Sequence, residues 1–219
     1  MIITDEDLLK RLSQLNASIV HDALRAEGLE NQTLSHDIKP ILTQKTMYGK
    51  VWTLSGELHK NISVHESLLS WTHFLSKVKP ETVVICQPNN QSIALMGELS
   101  AETLLKKNIK GYVVDGGCRD VKKIKDIGLQ VYCKFFSPKD VAGKWKVTEM
   151  GKEITISEVV IKTGDYVIGD EDGVVIIPKD VAKKIIMKAE KDLNSENKIR
   201  DAIMNDEDPQ QAYLRYRKF

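Results

Sequence analysis

The sequence predicts an α/β fold in which helices pack on a largely buried sheet. Three observations carry this. Residues 97–128, GELSAETLLKKNIKGYVVDGGCRDVKKIKDIG, run in the order loop, helix, strand, loop, helix. Thr82-Val83-Val84-Ile85-Cys86 is a short apolar run of the kind that forms a buried strand. From Val147 onward, β-favouring runs alternate with turn residues. At 219 residues, 42% hydrophobic and 29% charged, the composition is that of an ordinary globular protein. We expect one domain over 1–219, with 179–219 as a C-terminal helix and tail.

In order along the chain, Thr4 precedes Asp5-Glu6-Asp7, a helix start with acid in the first turn, and Leu8, Leu12 and Leu15 follow at helical spacing. A second helix covers 17–27, with Ile19, Ala23 and Leu24 inward and Gly28 as its stop. Residues 38–55 read as extended segments broken at Pro40 and Gly49. Residues 62–77 read as a helix with Leu68, Leu69 and Leu75 facing in, and Pro80-Glu81 leads into the buried strand. Asn89-Asn90-Gln91-Ser92 is turn-like and is expected at the rim of a site.

The chemistry is expected in 97–128. In open α/β sheets, ligands sit outside the carboxyl ends of strands, and both loops of this stretch lie at such ends. Ser100 is a natural N-cap for a helix over 101–107, leaving amides near Leu99 and Ser100 free for an anion. The short strand 112–114 stops at Asp115-Gly116-Gly117, whose glycines allow a close approach to a ligand. Arg119 offers a planar fork that suits a carboxylate, and Asp120 a hard oxygen ligand for Mg2+. Glu98 adds a second carboxylate. A carboxylate site beside a hard cation suits 2-oxo acid chemistry, in which an enolate must be stabilised. The bland alternatives are a surface ion pair or helix start at Arg119-Asp120 and a solvated charge at Glu98.

A further strand is expected over 129–135. Lys134 on it is a Schiff-base candidate, although a strand lysine is far more often solvated. The strands 153–156, 158–161, 166–169 and 174–177 follow, with turns at 162–165 and 170–173. Residues 180–204 form a long amphipathic helix with Val181, Ile185, Ala189 and Leu193 on one stripe, and Glu196 and Arg200 at ion-pair spacing. The aromatic and basic tail 209–219 either clamps a neighbouring subunit or frays.

Several classes are excluded. Lys and Arg total 32 against 31 Asp and Glu, a net charge of +1, so nothing advertises nucleic acid or an anionic membrane. No apolar run reaches transmembrane length, and Met1 to Glu6 lacks the form of a signal peptide. Cys86, Cys118 and Cys133, odd in number and widely spaced, suggest reduced thiols in the cytoplasm. Cys118 reads as a small filler before a nucleophile, since no base adjoins it. His65-Glu66 with His73 is not HExxH, and Val181 stands where an EF-hand starting at Asp170 needs glutamate. No glycine-rich nucleotide loop follows the first strand, so a methyltransferase reading lacks support.

Gly97-Glu98-Leu99, the twenty residues between Glu98 and Arg119, and Val114-Asp115-Gly116 ahead of Arg119-Asp120 resemble the RraA-like family. That family includes 4-hydroxy-4-methyl-2-oxoglutarate/4-carboxy-4-hydroxy-2-oxoadipate aldolases and the regulator of ribonuclease E activity. Asn16 to Leu24 and GDYVIGDEDGVVIIP resemble its N-terminal segment and its C-terminal strand pair. Glu98 stands where the aldolases have Asp, Ser100 replaces a usual leucine, and Asn89 to Ser92 departs from a glycine-rich stretch. The resemblance implies a layered β/β/α swivelling-type domain with N-terminal helices and a C-terminal helix, assembled as trimers or hexamers. It implies Asp120 as ligand of Mg2+ or Mn2+, and Arg119 and Glu98 as catalytic residues. Gly97, Leu99, Ser100 and Arg119 would bind substrate, and Glu196 would approach the site from a neighbouring subunit. The implied activity is class II aldol cleavage of a 4-hydroxy-2-oxo acid to pyruvate, with oxaloacetate decarboxylation beside it. The alternative within the family is a non-catalytic regulator that docks on a ribonuclease or an RNA helicase.

Overall fold

Four described helices start where a side chain caps them, at Thr4, Asn16, Ser63 and Asp208. The computed structural model describes residues 3–217. Helix α1 (Asp5–Leu12) begins at Thr4, whose hydroxyl accepts the Asp7 N–H while the Asp7 carboxylate accepts the Thr4 N–H. Helix α2 (Ala17–Arg25) is capped by Asn16. Strand β1 (Lys39–Pro40) is short, and β2 (Met47–Leu58) is long. The expected break at Gly49 is not there. Gly49 sits inside β2, where a Cβ would come within 2.9 Å of Val83 Cγ2, so the glycine serves packing and not a turn.

Helix α3 (Val64–Lys77) corrects a second expectation, because Leu68 and Leu69 face solvent. Ser67, Trp71 and Phe74 are the buried stripe. The Trp71 ring meets Phe74 and Trp145 edge-on at 5.1 and 5.9 Å, and two buried aromatics outweigh two leucines in deciding which face turns inward. Strand β3 (Thr82–Gln87), helix α4 (Glu98–Lys106), strand β4 (Gly111–Val114), the two-residue β5 (Gly117–Cys118) and helix α5 (Val121–Ile127) follow. The strand expected over 129–135 is split into β6 (Val131–Cys133) and β7 (Phe135–Phe136), which pair with different partners.

Strands β8 (Trp145–Met150), β9 (Ile154–Ile156), β10 (Val159–Ile161), β11 (Tyr166–Gly169) and β12 (Val174–Ile177) lead to α6 (Ala182–Met204) and α7 (Pro209–Tyr216). The tail is therefore helical to Tyr216. Lys218 and Phe219, part of the expected clamp, lie outside the described residues.

Among the described residues the main sheet runs β1-β6-β4-β3-β2-β11-β12, with β8 also on β2. Strands β2, β3, β4 and β6 are parallel neighbours, joined through α3, α4 and α5. The strand period of two sorts their side chains. Trp52, Leu54, Val84, Cys86, Tyr112 and Val114 pack under α3, α4 and α5, while Val51, Val83, Ile85, Val113 and Tyr132 meet the β9–β10 hairpin. This is the β/β/α layering the resemblance implied. Helices α1, α2 and α6 cover β11 and β12 through Leu12, Val20, Ile185 and Ile186. The 170–173 turn is scaffold: Asp170 accepts the Ala17 N–H at the start of α2, and Asp172 accepts the Ser18 hydroxyl. No described helix is long and apolar enough to cross a membrane.

Candidate active site

Strands β3 and β4 are adjacent and parallel, so their carboxyl ends open on one edge and the chain leaves both there. Two backbone bonds lock the following loops together: Leu95 N–H to Gly117 O at 2.9 Å and Arg119 N–H to Met96 O at 2.9 Å. The start of α4 is thereby set beside Arg119-Asp120. Gly97, Glu98, Leu99, Ser100, Arg119 and Asp120 line one cleft of about 470 Å3.

Asp120 is the unusual residue. It occupies the N-cap position of α5 with φ 55° and ψ 35°, the left-handed region, yet its side chain does not cap α5. Its Oδ2 instead accepts the N–H of Glu98, 22 residues upstream, at 3.0 Å. Aspartate is tolerated in this backbone region at a cost of order 1 kcal/mol or more, and such strain concentrates at functional sites. The helix-start reading of Asp120 holds for its place in the chain, but its side chain serves α4 and not its own helix. The ion-pair reading holds in part: Arg119 Nε lies 3.5 Å from Asp120 Oδ2, and its Nη1 donates to Asp140 Oδ2 at 3.1 Å. Arg119 is held from two sides with its fork at the cleft.

Gly97, not Ser100, is the N-cap of α4, and it offers no side-chain cap. Its backbone is extended, and what it provides is room. A Cβ there would sit 2.7 Å from Asp120 Oδ2 and 3.0 Å from Arg119 Nε. Ser100 lies one turn into the helix, where its hydroxyl accepts the Trp71 indole N–H at 2.9 Å. The Leu99 and Ser100 amides have no acceptor among the described residues, so an anion at this helix start would find two donors. Glu98, beside them, is 3.6 Å from Lys123 Nζ.

The other candidate residues lie as follows. Gly116 and Gly117 do not line the cleft; Cβ atoms there would run into Pro88 and the Phe135 ring, so they serve close packing. Asn89 to Ser92 is not the rim. Asn89 donates to Gly56 O, Asn90 accepts the Ser92 and Ile93 amides, and Gln91 donates to Asp115 O, which makes the segment a brace between loops. Glu196 lies on α6 beside Ile199, Arg200, Ile203 and Met204, and within one chain it does not line the cleft. Lys134 Nζ is 2.5 Å from Asp115 Oδ1 and does not line the cleft, which leaves the Schiff-base reading without support. Cys118 is fully buried, and its hydrogen bond with Cys133, then burial, push its thiol up, away from a reactive thiolate.

The sequence reading missed Asp140, which holds Arg119 and accepts the Ala142 N–H. It also missed the wall of the cleft built by Leu68, Trp71, Leu75 and Val141. Neither had a signal, because both come from segments far from 97–128 that the fold brings back to it.

Residues 17–176 match the RraA-like family model, described as Aldolase/RraA. The Legionella pneumophila protein DlpA is 29% identical over 95% of this chain, although the chain spans only about a third (34%) of that protein's length. A Halalkalibacterium halodurans protein provisionally named 4-hydroxy-4-methyl-2-oxoglutarate aldolase is 26% identical, covering 90% of this chain and 91% of its own. The crystal structure of Streptomyces coelicolor RraAS2, titled an unusual member of the RNase ES inhibitor RraA protein family, superposes with a TM-score of 0.81. It covers 90% of this chain and 98% of its own, and at 21% identity it shows a shared fold. By the family match over most of its length, with the motif-bearing loops inside the matched region, this chain belongs to the RraA-like family.

Proposed function

We propose that this protein is a divalent-metal-dependent carbon–carbon lyase of the class II aldolase type that cleaves a 4-hydroxy-2-oxo acid to pyruvate. A relative is provisionally named for one acid of this class, 4-hydroxy-4-methyl-2-oxoglutarate. Oxaloacetate decarboxylation, which forms the same enolate, is the expected side activity. The observation that carries the reading is the Asp120 carboxylate, turned away from its own helix toward the start of α4 and Arg119.

The residues fit a hard cation. Asp120 Oδ2 takes the Glu98 amide, which leaves Oδ1 as a ligand, and Mg2+ commonly needs only one or two protein carboxylates with water and substrate. Among the described residues no group of three or more His, Cys, Asp or Glu converges, which suits such an open site better than a closed structural one. Bound at Asp120, Mg2+ or Mn2+ would supply Lewis-acid stabilisation of developing negative charge.

The chain's own residues do the rest. Arg119 receives the substrate carboxylate on its planar fork. The Leu99 and Ser100 amides, with the backbone at Gly97, add donors to the anionic end. Glu98 or Arg119 holds the water that takes the proton from the C4 hydroxyl. The C3–C4 bond then breaks, C4 becomes a carbonyl, and the electron pair stays on the pyruvyl fragment as an enolate, which is protonated at C3. We place the protein in the cytoplasm as a homotrimer or hexamer. Glu196 of a neighbouring copy would approach the metal's surroundings.

The test is pyruvate release from a panel of 4-hydroxy-2-oxo acids and oxaloacetate. Release should stop in chelator and return with Mg2+ or Mn2+. Full activity in chelator, with borohydride trapping pyruvate on Lys134, would replace this reading with Schiff-base chemistry. Release from no substrate, with a ribonuclease or helicase bound instead, would leave a regulator.

A further inference from the structure

The cleft is larger than a pyruvyl group fills, and its lining is largely apolar: Leu68, Trp71, Leu75, Met96, Leu99 and Val141. Arg119 is the one cationic side chain among the described lining residues, against the carboxylates of Glu98, Asp120 and Asp140. Its charge is already shared by Asp120 and Asp140.

Two hydroxyls of the wall are committed as donors: Thr72 donates to Leu68 O at 2.8 Å and Thr103 to Leu99 O at 2.7 Å, each within its own helix. A second carboxylate on the substrate would meet apolar side chains and fixed negative charge, with no second cationic side chain among the described lining residues to pair it. An alkyl or aryl group there would leave water for a surface that receives it.

Resting on the reading of this cleft as a 2-oxo acid site, we infer that the substrate is a monocarboxylic 4-hydroxy-2-oxo acid with an uncharged apolar group beyond C4. Di- and tricarboxylic acids are disfavoured. Cleavage breaks the C3–C4 bond; C3 keeps the electron pair and gains a proton. The C4 hydroxyl loses its proton and becomes the carbonyl of an apolar aldehyde or ketone.

Two measurements on the full-length protein with Mg2+ test this. Calorimetry compares 2-oxohexanoate with 2-oxoadipate, which have the same chain length and differ by the terminal carboxylate. 2-Oxohexanoate should bind at least tenfold more tightly. Leu68→Arg, at a position 42% exposed and so outside the core, should reverse the order. Equal or tighter binding of 2-oxoadipate to the unmodified protein, or no binding of either, overturns the inference. The second measurement compares pyruvate release from 4-hydroxy-2-oxohexanoate and 4-hydroxy-4-methyl-2-oxoglutarate. A higher kcat/KM for the dicarboxylate overturns the substrate class and leaves the lyase standing. Release from neither, with the calorimetric preference intact, removes the lyase reading and keeps the ligand class.

Discussion

Arg119 and Asp120 are adjacent in sequence and opposed in role, and single substitutions separate them. Arg119→Lys keeps the charge and loses the fork, so carboxylate recognition and enolate stabilisation fail together. Turnover should fall roughly a hundred- to a thousandfold and stay low at any Mg2+ concentration, as for loss of a transition-state donor. Asp120→Asn keeps the shape and loses the charge that would hold the cation. It should be nearly inactive at ordinary Mg2+ and recover in part as Mg2+ is raised, read from kcat against metal concentration. Near-normal turnover in both stable variants would move the site elsewhere. Gly97→Ala tests the geometry between them. The backbone tolerates alanine, but the new methyl would displace Asp120 Oδ2 and Arg119 Nε from their present places. Activity should drop roughly a hundredfold, the order lost when a catalytic group moves by about an ångström. The melting temperature should stay within a few degrees.

Among the elements, α3 shows how propensity and packing divide the work. Its helical period was readable over 62–77, and the structure closes its start with a capping box between Ser63 and Glu66. Which face turns inward was not, because Leu68 and Leu69 compete with Trp71 and Phe74, and the winner depends on where β8 places Trp145. Helix α1 allows a test by pH. Asp5 in its first turn pairs with Lys50 of β2 and accepts the Tyr166 hydroxyl of β11. The Lys50 hydrogen bond first, and Tyr166 second, hold its carboxyl below the usual value of 3.8. A depressed folded-state pKa gives stability that is present above the unfolded value and lost as pH falls through the folded one. Asp5→Asn should therefore be less stable than the parent at pH 7, and the gap should close as pH falls from about 5 to about 2. Because Asp5 is well exposed, the difference at pH 7 should stay under about 1 kcal/mol. Urea unfolding across that range measures it, and a gap independent of pH would remove the ion pair as its source.

At the scale of the whole molecule, the apolar side chains left outside the three core clusters are informative. Leu99 is 78% exposed beside the cleft, and Met204, Tyr213 and Leu214 are exposed on α6 and α7. Exposed large side chains of this kind favour association over a lone chain. Light scattering should give the mass of a trimer or hexamer, and dilution to monomer should reduce turnover. A monomer with full activity would take Glu196 out of the site.

What the sequence determined by itself is local: the helix start at Thr4, the helical runs near 17–27 and 62–77, the stop at Gly128, the buried strands, and the loop–helix–strand–loop–helix order over 97–128. These follow from capping, periodicity and backbone preference within a few residues. Tertiary structure decided what stands opposite what. Parallel pairing of β3 and β4 turned Asp120 from a helix cap into a carboxylate facing α4. The 136–142 segment brought Asp140 onto Arg119, and α3 returned Leu68 and Trp71 as the apolar wall. Those contacts join residues 20 to 50 positions apart, so each depends on strand register and on the packing of buried rings, which no short window of sequence contains.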